Sequence, residues 1–284
     1  MDIDGTLVTG PEDTLEHITR QLRRLRVANI RFTVATGRTL AGARSVVKRL
    51  LSVRMQMPPM IAYNGAVVAS PADSAVIRRV TIPKDTYHHL IAEALAQGLS
   101  PLVYTCGKRL DLSPVEKVYA QLGLANYPDA EFNGMEIQWV PDLDAINVED
   151  VTSVLLCYAP RSSITPSALE TLRSRFPKQL SITTSGGRYI EIADLSATKL
   201  SALQALATFR RVDLEEFMAI GDSFNDFEMI RSVGVGVAVA NAPAEVKAVA
   251  DYVCDLQAAQ GVVEALRWLL SAVRVSKIQR RAAQ

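Results

Sequence analysis

The N-terminal sequence Met1-Asp2-Ile3-Asp4-Gly5-Thr6-Leu7 carries two carboxylates two residues apart. Side chains alternate across a strand, so in extended backbone Asp2 and Asp4 share one face and can hold one cation together. Gly5 and Thr6 then end the extended run, at the position where open α/β sheets bind ligands. On this motif alone the simpler interpretation is a solvated Asp-Gly turn, because short motifs often match by chance.

Polar clusters follow other predicted strands at the same topological position. They are Thr36-Gly37, Lys199 at a helix start, and Gly221-Asp222-Ser223-Phe224-Asn225-Asp226. The carboxyl ends of parallel strands line up along one sheet edge, so these clusters and the first two aspartates are expected to meet in one crevice. Carboxylate oxygens beside a lysine and a hydroxyl are typical of a Mg²⁺ site that receives a phosphoryl group. Without the metal, each acid would repel the phosphate, by roughly 4 kcal/mol for unit charges about 4 Å apart at an effective dielectric constant near 20.

Residues 1–81 are predicted to form alternating helices and strands that position the first of these groups. Helical and strand periodicities predict a helix, a βα unit, a further strand and a hairpin. The predicted elements are helix Asp13 to Ala28, strand Ile30 to Ala35, helix Leu40 to Leu50, strand Met60 to Tyr63, and hairpin strands Ala66 to Ala69 and Ala75 to Val80. This segment is expected to form the first part of a doubly wound sheet.

From Ile82-Pro83 the pattern becomes less regular, and residues 82–187 are predicted to form an inserted α+β domain. Its predicted elements are helix Lys84 to Gln97, strands Leu102 to Thr105 and Val151 to Tyr158, and helix Pro166 to Phe176. The stretch from Asn126 to Asn147 is rich in Pro, Asn, Asp and Gly, and it has no readable periodicity.

After Ser185-Gly186-Gly187 the βα alternation returns, and residues 188–284 are predicted to complete the sheet. The predicted elements are strand Tyr189 to Ile192, helix Thr198 to Phe209, strand Phe217 to Ile220, helix Phe224 to Arg231, strand Val235 to Val239, helix Pro243 to Ala250, strand Asp251 to Val253 and helix Gly261 to Val273. The predicted fold class is α/β: a doubly wound, mostly parallel Rossmann-like sheet into which an α+β domain is inserted.

The amino-acid composition predicts which kinds of partner and which cellular compartment to expect. The 284 residues are 49% hydrophobic and 21% charged with a net charge of +1, which predicts a soluble globular protein without a nucleic-acid partner. The longest apolar stretches, such as Val233 to Ala240, are too short to cross a membrane. Three scattered cysteines without a CxxC pair, and no secretory signal before the first motif, predict a cytoplasmic protein.

The ordered set of motifs resembles the haloacid dehalogenase-like superfamily, and within it the Cof-like phosphatases. The motifs that carry this resemblance are Asp2-Ile3-Asp4-Gly5-Thr6-Leu7, Thr36-Gly37-Arg38, Asn64-Gly65-Ala66, Lys199, Gly221-Asp222-Ser223-Phe224-Asn225-Asp226 and Asn241-Ala242. The likeness covers nearly the whole chain. It implies that the inserted domain is a cap that closes over the substrate, with hinges near Ile82-Pro83 and Gly186-Gly187.

The resemblance also implies a role for each site residue. Asp2 would be the nucleophile that forms an aspartyl-phosphate, and Asp4 the general acid that protonates the leaving oxygen and later activates water. Mg²⁺ would be bound by Asp2, Asp222 and the backbone carbonyl of Asp4. The remaining implied roles are Thr36 and Lys199 on the phosphoryl oxygens, Gly37, Asn64 and Asn241 on the substrate, and Asn225 and Asp226 in support of the metal or of Lys199.

Two positions depart from the family pattern. The family places a buried apolar strand of about five residues before the nucleophile, whereas here only Met1 precedes Asp2. We therefore expect that the natural product carries further apolar residues upstream; a chain that starts at Met1 would lack the central strand and support little activity. Leu200 follows Lys199 where the family commonly has Gly, which could shift the turn but leaves the ammonium in place.

The sequence thus favours a Mg²⁺-dependent phosphatase acting on a small phosphorylated metabolite, such as a sugar phosphate or a cofactor-type phosphate. A phosphotransferase or mutase is an alternative, because the aspartyl-phosphate can also be passed to a sugar hydroxyl. A non-catalytic binding module is a second alternative if the first strand is missing. Arg38 is expected to pair with a nearby carboxylate rather than to bind phosphate, and the neighbours His88 and His89 are not expected to form a metal site.

Overall fold

The computed structural model describes residues 1–9, 14–51, 55–71, 75–108, 113–124, 131–132, 135–157, 166–185 and 189–282. Within these residues the chain forms eight α-helices and fourteen β-strands, arranged as a core built from both ends of the chain and a cap built from its middle. Among the described residues, no helix combines the length and the apolar composition needed to cross a bilayer.

The first part of the core consists of a small sheet with helices beside it. Its elements are α1 Thr14–Val27, β1 Val34–Ala35, α2 Leu40–Leu50, β2 Met60–Ala62, β3 Val67–Ser70 and β4 Ala75–Arg79. The strands lie in the order β1-β2-β3-β4; β1 and β2 are parallel, and the other pairs are antiparallel. Helix α1 buries Ile18, Leu22 and Leu25, whose helical spacing places them on one face.

The cap is a mixed sheet with two helices. Its elements are α3 Lys84–Ala96, β5 Ser100–Lys108, β6 Pro114–Gln121, β7 Glu131–Phe132, β8 Met135–Val140, β9 Val151–Cys157, α4 Pro166–Arg175, β10 Leu180–Ser185 and β11 Tyr189–Asp194. The seven strands lie in the order β10-β11-β9-β5-β6-β8-β7. Tyr87 and Leu90 of α3 pack with one face of this sheet, while Leu102 and Leu155 on the other face join the hydrophobic cluster of the core.

The second part of the core restores the alternation of strands and helices. Its elements are α5 Lys199–Arg210, β12 Met218–Gly221, α6 Phe227–Ser232, β13 Val235–Ala238, α7 Ala244–Ala248, β14 Tyr252–Val253 and α8 Ala258–Ala282. The three strands are parallel, in the order β12-β13-β14. Helices α1, α2 and α8 contribute to one apolar cluster, and α5, α6 and α7 contribute to another. The core therefore has helices on both faces, as predicted for a doubly wound fold.

The backbone of the first two residues lies between the two core sheets. The N–H of Ala35 donates to the Met1 carbonyl at 2.9 Å, and the N–H of Asp2 donates to the Ile220 carbonyl at 2.9 Å. Asp2 thus lies beside the carboxyl ends of β1 and β12, which is the edge where polar groups were predicted to meet.

The predicted boundary between the cap and the second core segment was wrong by one strand. Strand β11 was predicted to belong to residues 188–284 of the core, but it pairs antiparallel with β9 and β10 in the cap sheet. Ser185 pairs with Tyr189 across this hairpin, so the chain returns to the core only after Asp194. The predicted hinge Gly186-Gly187 lies outside the described residues, and its flanking strands both belong to the cap.

Candidate active site

A buried ion cluster occupies the predicted sheet edge. The ammonium of Lys199 donates to Asp2 Oδ1 at 2.6 Å and to Asp226 Oδ1 at 2.7 Å. The three residues are 1%, 4% and 0% exposed, respectively. Residues from the start and from the second half of the sequence are therefore combined in one charged group, whose members are shielded from water.

The start of helix α5 fixes the direction of Lys199. The Thr198 hydroxyl accepts a hydrogen bond from the Ser201 N–H, and the Ser201 hydroxyl accepts one from the Thr198 N–H. This reciprocal capping satisfies two N–H groups that have no partner within the helix. Leu200, the departure from the family pattern, is the second residue of this capped helix.

Asp222 is oriented by side chains from two other segments. Thr6 donates its hydroxyl to Asp222 Oδ1 at 2.6 Å, and Asn241 donates its amide to Oδ2 at 3.2 Å. Gly5 has a φ of +77°, and a Cβ there would overlap the Asp222 carboxylate. The motif Asp2-Ile3-Asp4-Gly5-Thr6 therefore supplies a close backbone approach at Gly5 and a hydrogen bond from Thr6 as well as its two carboxylates.

Asp226 organises the loop that carries Asp222. Its Oδ2 accepts hydrogen bonds from the N–H groups of Asp222 at 3.1 Å and Ser223 at 3.2 Å, while its Oδ1 faces Lys199. A side chain at Gly221 would overlap the Asp226 carboxyl group. Asp226 thus makes hydrogen bonds with both the loop and the lysine.

The carboxylate cluster fits a divalent cation. One oxygen from each of Asp2, Asp222 and Asp226 lies within 4.8 Å of the other two. Three carboxylates surround one ammonium, so the ionised group carries excess negative charge. Mg²⁺ prefers oxygen ligands that carry negative charge. The residues present therefore fit the metal that the sequence predicted.

The same crowding shifts the proton affinities. Burial raises the pKa of the Asp2 carboxyl to about 7; the Lys199 ammonium opposes this rise, and the charge of Asp226 adds to it. Burial also raises the pKa of Asp222, against the hydrogen bond from Thr6. Burial alone would lower the pKa of Lys199, but the carboxylates of Asp226 and Asp2 outweigh it and raise this pKa. Lys199 therefore keeps its charge, and the acids gain from any added positive charge.

Asp4 is held by Arg38 and is exposed, unlike the buried cluster. Arg38 donates to its two oxygens at 2.8 and 2.6 Å, and the Asp4 side chain is 55% exposed. The expectation that Arg38 pairs with a carboxylate is confirmed. Thr36 is fully buried, and its hydroxyl accepts a hydrogen bond from the Arg38 N–H at 3.1 Å.

The turn Tyr63-Asn64-Gly65 connects the site loops. Its three residues have φ values of +51°, +52° and +111°. The Asn64 N–H donates to the Thr36 carbonyl at 3.0 Å, and the Asn64 side-chain oxygen accepts from the Asn225 amide at 3.0 Å. Asn225 in turn lies 3.4 Å from the Lys199 ammonium. The turn thus joins the loop of Thr36 to the loop of Asp222 at the mouth of the site.

Gly37 and Asn241, two of the residues expected to contact substrate, lie against other residues of the core. A Cβ at Gly37 would lie 3.2 Å from the Asn64 amide, so the glycine leaves room for that side chain. Asn241 donates to the Gly5 carbonyl as well as to Asp222, and its oxygen accepts from the Ala258 N–H. These contacts make Asn241 a support for Asp222.

Two cap glutamates that the sequence did not reveal reach the core. Glu116 of β6 accepts from the N–H groups of Leu40 at 2.6 Å and Ala41 at 2.8 Å, and from the Tyr63 hydroxyl at 2.6 Å. Burial raises the pKa of Glu116, against these hydrogen bonds. Glu191 of β11 accepts from the Asn64 amide at 3.2 Å. Both carboxylates therefore hold the cap against the same turn of the core.

Known proteins share this fold and this sequence pattern. Residues 1–266 match the family described as haloacid dehalogenase-like hydrolase. A 5-amino-6-(5-phospho-D-ribitylamino)uracil phosphatase of Bacillus subtilis is 28% identical over 271 residues, covering 95% of this chain and 94% of that protein. A phosphoglycolate phosphatase of Methanopyrus kandleri is 29% identical over 276 residues, covering 96% of each chain. The crystal structure of a haloacid dehalogenase-like hydrolase from Bacteroides thetaiotaomicron is similar with a TM-score of 0.78 at 26% identity, covering 94% of this chain and 97% of that one.

Proposed function

This chain belongs to the haloacid dehalogenase-like hydrolases, and from that membership we propose a Mg²⁺-dependent reaction in which Asp2 attacks a small phosphorylated metabolite. The enzyme is a phosphoric monoester hydrolase, the class to which its named relatives belong. The observation that carries the mechanism is the buried contact of Asp2 with Lys199, next to Asp222.

The first step transfers the phosphoryl group to the protein. A carboxylate oxygen of Asp2 attacks the phosphorus, and the bond between the phosphorus and the leaving oxygen breaks. Asp4 gives the leaving oxygen a proton. Because Arg38 holds Asp4 through two hydrogen bonds, this transfer requires the Arg38 pair to open. Lys199 and Thr36 stabilise the charge on the phosphoryl oxygens.

The second step hydrolyses the aspartyl-phosphate and regenerates the Asp2 carboxylate. Water attacks the phosphorus of the aspartyl-phosphate, Asp4 accepts the proton of that water, and the bond from phosphorus to Asp2 breaks. Free phosphate and the original carboxylate result. A phosphotransferase would pass the group to another hydroxyl instead, so measured release of free phosphate distinguishes the two reactions.

Asp2, Asp222 and the backbone carbonyl of Asp4 would hold Mg²⁺. The ion would offset the negative charges of the phosphate and the carboxylates, which otherwise repel one another. Asp222 is prepared for this role by its hydrogen bonds from Thr6 and Asn241. Asp226 remains the partner of Lys199.

The proposed substrates are small phosphate monoesters, with sugar phosphates and cofactor-type phosphates as the candidate classes. The two named relatives are phosphatases of a phosphoribitylaminouracil and of phosphoglycolate. The cavity between the cap sheet and the core is small, with a volume of about 70 Å³.

The substitution Asp2→Asn tests the proposal. With Mg²⁺ and p-nitrophenyl phosphate or a panel of metabolite phosphates, we expect the variant to release phosphate at least about a thousand-fold more slowly, because an amide is not a nucleophile. Its circular dichroism and thermal unfolding should show a folded protein. The matched control is Asp85→Asn, the same change at an exposed cap position, which should retain full activity. Hydrolysis by the Asp2→Asn protein within ten-fold of the wild type would contradict the assignment.

A further inference from the structure

A cavity lies between the cap sheet and the core, and residues that neighbour the catalytic groups form part of its wall. Gly37 and Asn64 line it from the core, and Ser153, Ser181 and Thr183 line it from the cap. Asn64 is hydrogen-bonded to Asn225, which reaches Lys199, and Gly37 follows Thr36 in the chain, so two wall residues connect the cavity to the proposed catalytic groups. A leaving group that extends from the phosphoryl group towards the cap would therefore enter this cavity.

The described side chains of the cavity wall carry negative charge and no positive charge. Glu191 lines it and is its single charged side chain within the described part of the chain; no Lys, Arg or His from that part lines it. The other polar groups of the wall are hydroxyls and the Asn64 amide. The Glu191 carboxylate accepts one hydrogen bond from Asn64, which leaves acceptor capacity for a ligand.

We propose that Glu191 selects the leaving group by charge, so that this enzyme prefers phosphate esters of neutral or cationic alcohols that donate hydrogen bonds and discriminates against leaving groups bearing a carboxylate or a second phosphate. The inference rests on the proposed function of the Asp2 site. It sets this chain apart from relatives named for phosphoglycolate, whose leaving group is an anion.

The physical basis is the repulsion of like charges in a confined space. Two negative charges about 5 Å apart at an effective dielectric constant near 20 repel strongly enough to weaken binding by more than ten-fold. A hydroxyl or ammonium donor gains a charge-assisted hydrogen bond from the same carboxylate. One glutamate therefore favours one class of leaving group and opposes the other.

Three phosphate esters of similar length provide the test: phosphoglycolate, 2-hydroxyethyl phosphate and phosphoethanolamine, whose leaving groups are negative, neutral and positive. We expect the wild type to show a kcat/KM at least about ten-fold lower for phosphoglycolate than for the other two. Glu191→Gln keeps an oxygen that can accept from Asn64 while it removes the charge. It should raise the kcat/KM for phosphoglycolate relative to 2-hydroxyethyl phosphate by about ten-fold and lower the relative value for phosphoethanolamine.

The ratios of kcat/KM between the esters distinguish a change in leaving-group preference from general damage to the site, because a distorted site would lower all three kcat/KM values together. Glu136→Gln, at an exposed position of the cap sheet, is the matched control and should leave the ratios unchanged. If the small esters turn over too slowly, their inhibition constants against p-nitrophenyl phosphate hydrolysis give the same comparison. Ratios that are equal in the wild type and in Glu191→Gln overturn the inference while the phosphatase assignment stands. Loss of p-nitrophenyl phosphate hydrolysis in the wild type overturns both.

Discussion

The single residue on which the site depends most is Lys199. It is a fully buried ammonium between two carboxylates, and its hydrogen bonds to Asp2 and Asp226 are short. A buried charge is tolerated only when it is paired, and removing one partner leaves the others uncompensated. Lys199 therefore has a structural task in addition to its proposed contact with the phosphoryl oxygens.

Lys199→Met should lower the free energy of unfolding by about 3–5 kcal/mol, measured by chemical denaturation with a chelator present. The methionine fills a similar volume, so the loss comes from the two carboxylates left without a counter-ion. Adding Asp226→Asn to this variant should restore part of the stability, because one of those charges is gone. Lys178→Met, at an exposed position, is the control. Equal stability of wild type and Lys199→Met would show that the cluster is stabilised by something other than this lysine.

Some site residues could be predicted from the sequence, and others could not. Asp222 follows a predicted strand, Lys199 lies at the start of a predicted helix, and Asp2 lies where an extended run was expected to end in a loop. The geometry of open α/β sheets was therefore enough to expect these groups at one sheet edge. Glu116 and Glu191 act across the interface between cap and core. Their position depends on how two domains pack, which no local pattern in the sequence encodes.

Among the elements, the turn Tyr63-Asn64-Gly65 determines how the loops of the site are joined. Its left-handed backbone is costly for Tyr63 and Asn64, and it persists because both residues are fixed by hydrogen bonds. Gly65 lies against the backbone of Thr198, the residue that caps the helix of Lys199. The close approach of this turn to α5 therefore requires a residue without a side chain.

Gly65→Ala should destabilise the protein by more than the cost of placing an alanine at a positive φ. A Cβ at this position would overlap the Thr198 carbonyl oxygen, and φ is +111°. Gly98→Ala is the matched control, since its φ is +70° and nothing lies within 4 Å of the added Cβ. We expect a loss of about 1 kcal/mol for Gly98→Ala and a clearly larger loss for Gly65→Ala, with reduced kcat only in the latter. Equal losses in both variants would contradict the role of close packing.

The elements of the core were predicted better than those of the cap, for a physical reason. Core strands such as β12 and β13 are buried on both faces. They therefore appear in the sequence as short apolar runs between predicted helices. Strand β6 has one face towards the core and mixes exposed and buried residues, and no strand was predicted there. Strand β11 was predicted, but strand propensity does not reveal which sheet a strand joins.

At the scale of the whole molecule, the cap is attached to the core by packing and by charge. Leu102, Val118 and Leu155 of the cap sheet belong to the same hydrophobic cluster as the core helices. Glu116 adds hydrogen bonds to the N-terminus of α2, where the helix dipole favours an anion. The cap therefore packs against the core over a small cavity, and we expect these contacts to open when a substrate enters.

The two halves of the core also meet at the carboxylates, because Asp2 belongs to the first half and Asp222 to the second. A divalent ion bound by both would link segments that the cap separates along the chain. Since the ligands come together only in the folded state, such an ion stabilises the fold by mass action.

Mg²⁺ should therefore raise the unfolding temperature of the wild type by several degrees over a solution of equal ionic strength containing KCl and a chelator. Asp222→Asn should lose most of this shift, because it removes one of the carboxylates that would ligate the ion while leaving its neighbours in place. Asp85→Asn, far from the cluster in sequence and exposed on the cap, should retain it. The KCl reference separates specific binding from screening of surface charge, which both salts supply equally. The same shift in wild type and Asp222→Asn would mean that the ion binds elsewhere, and the proposed link between the two halves of the core would have to be abandoned.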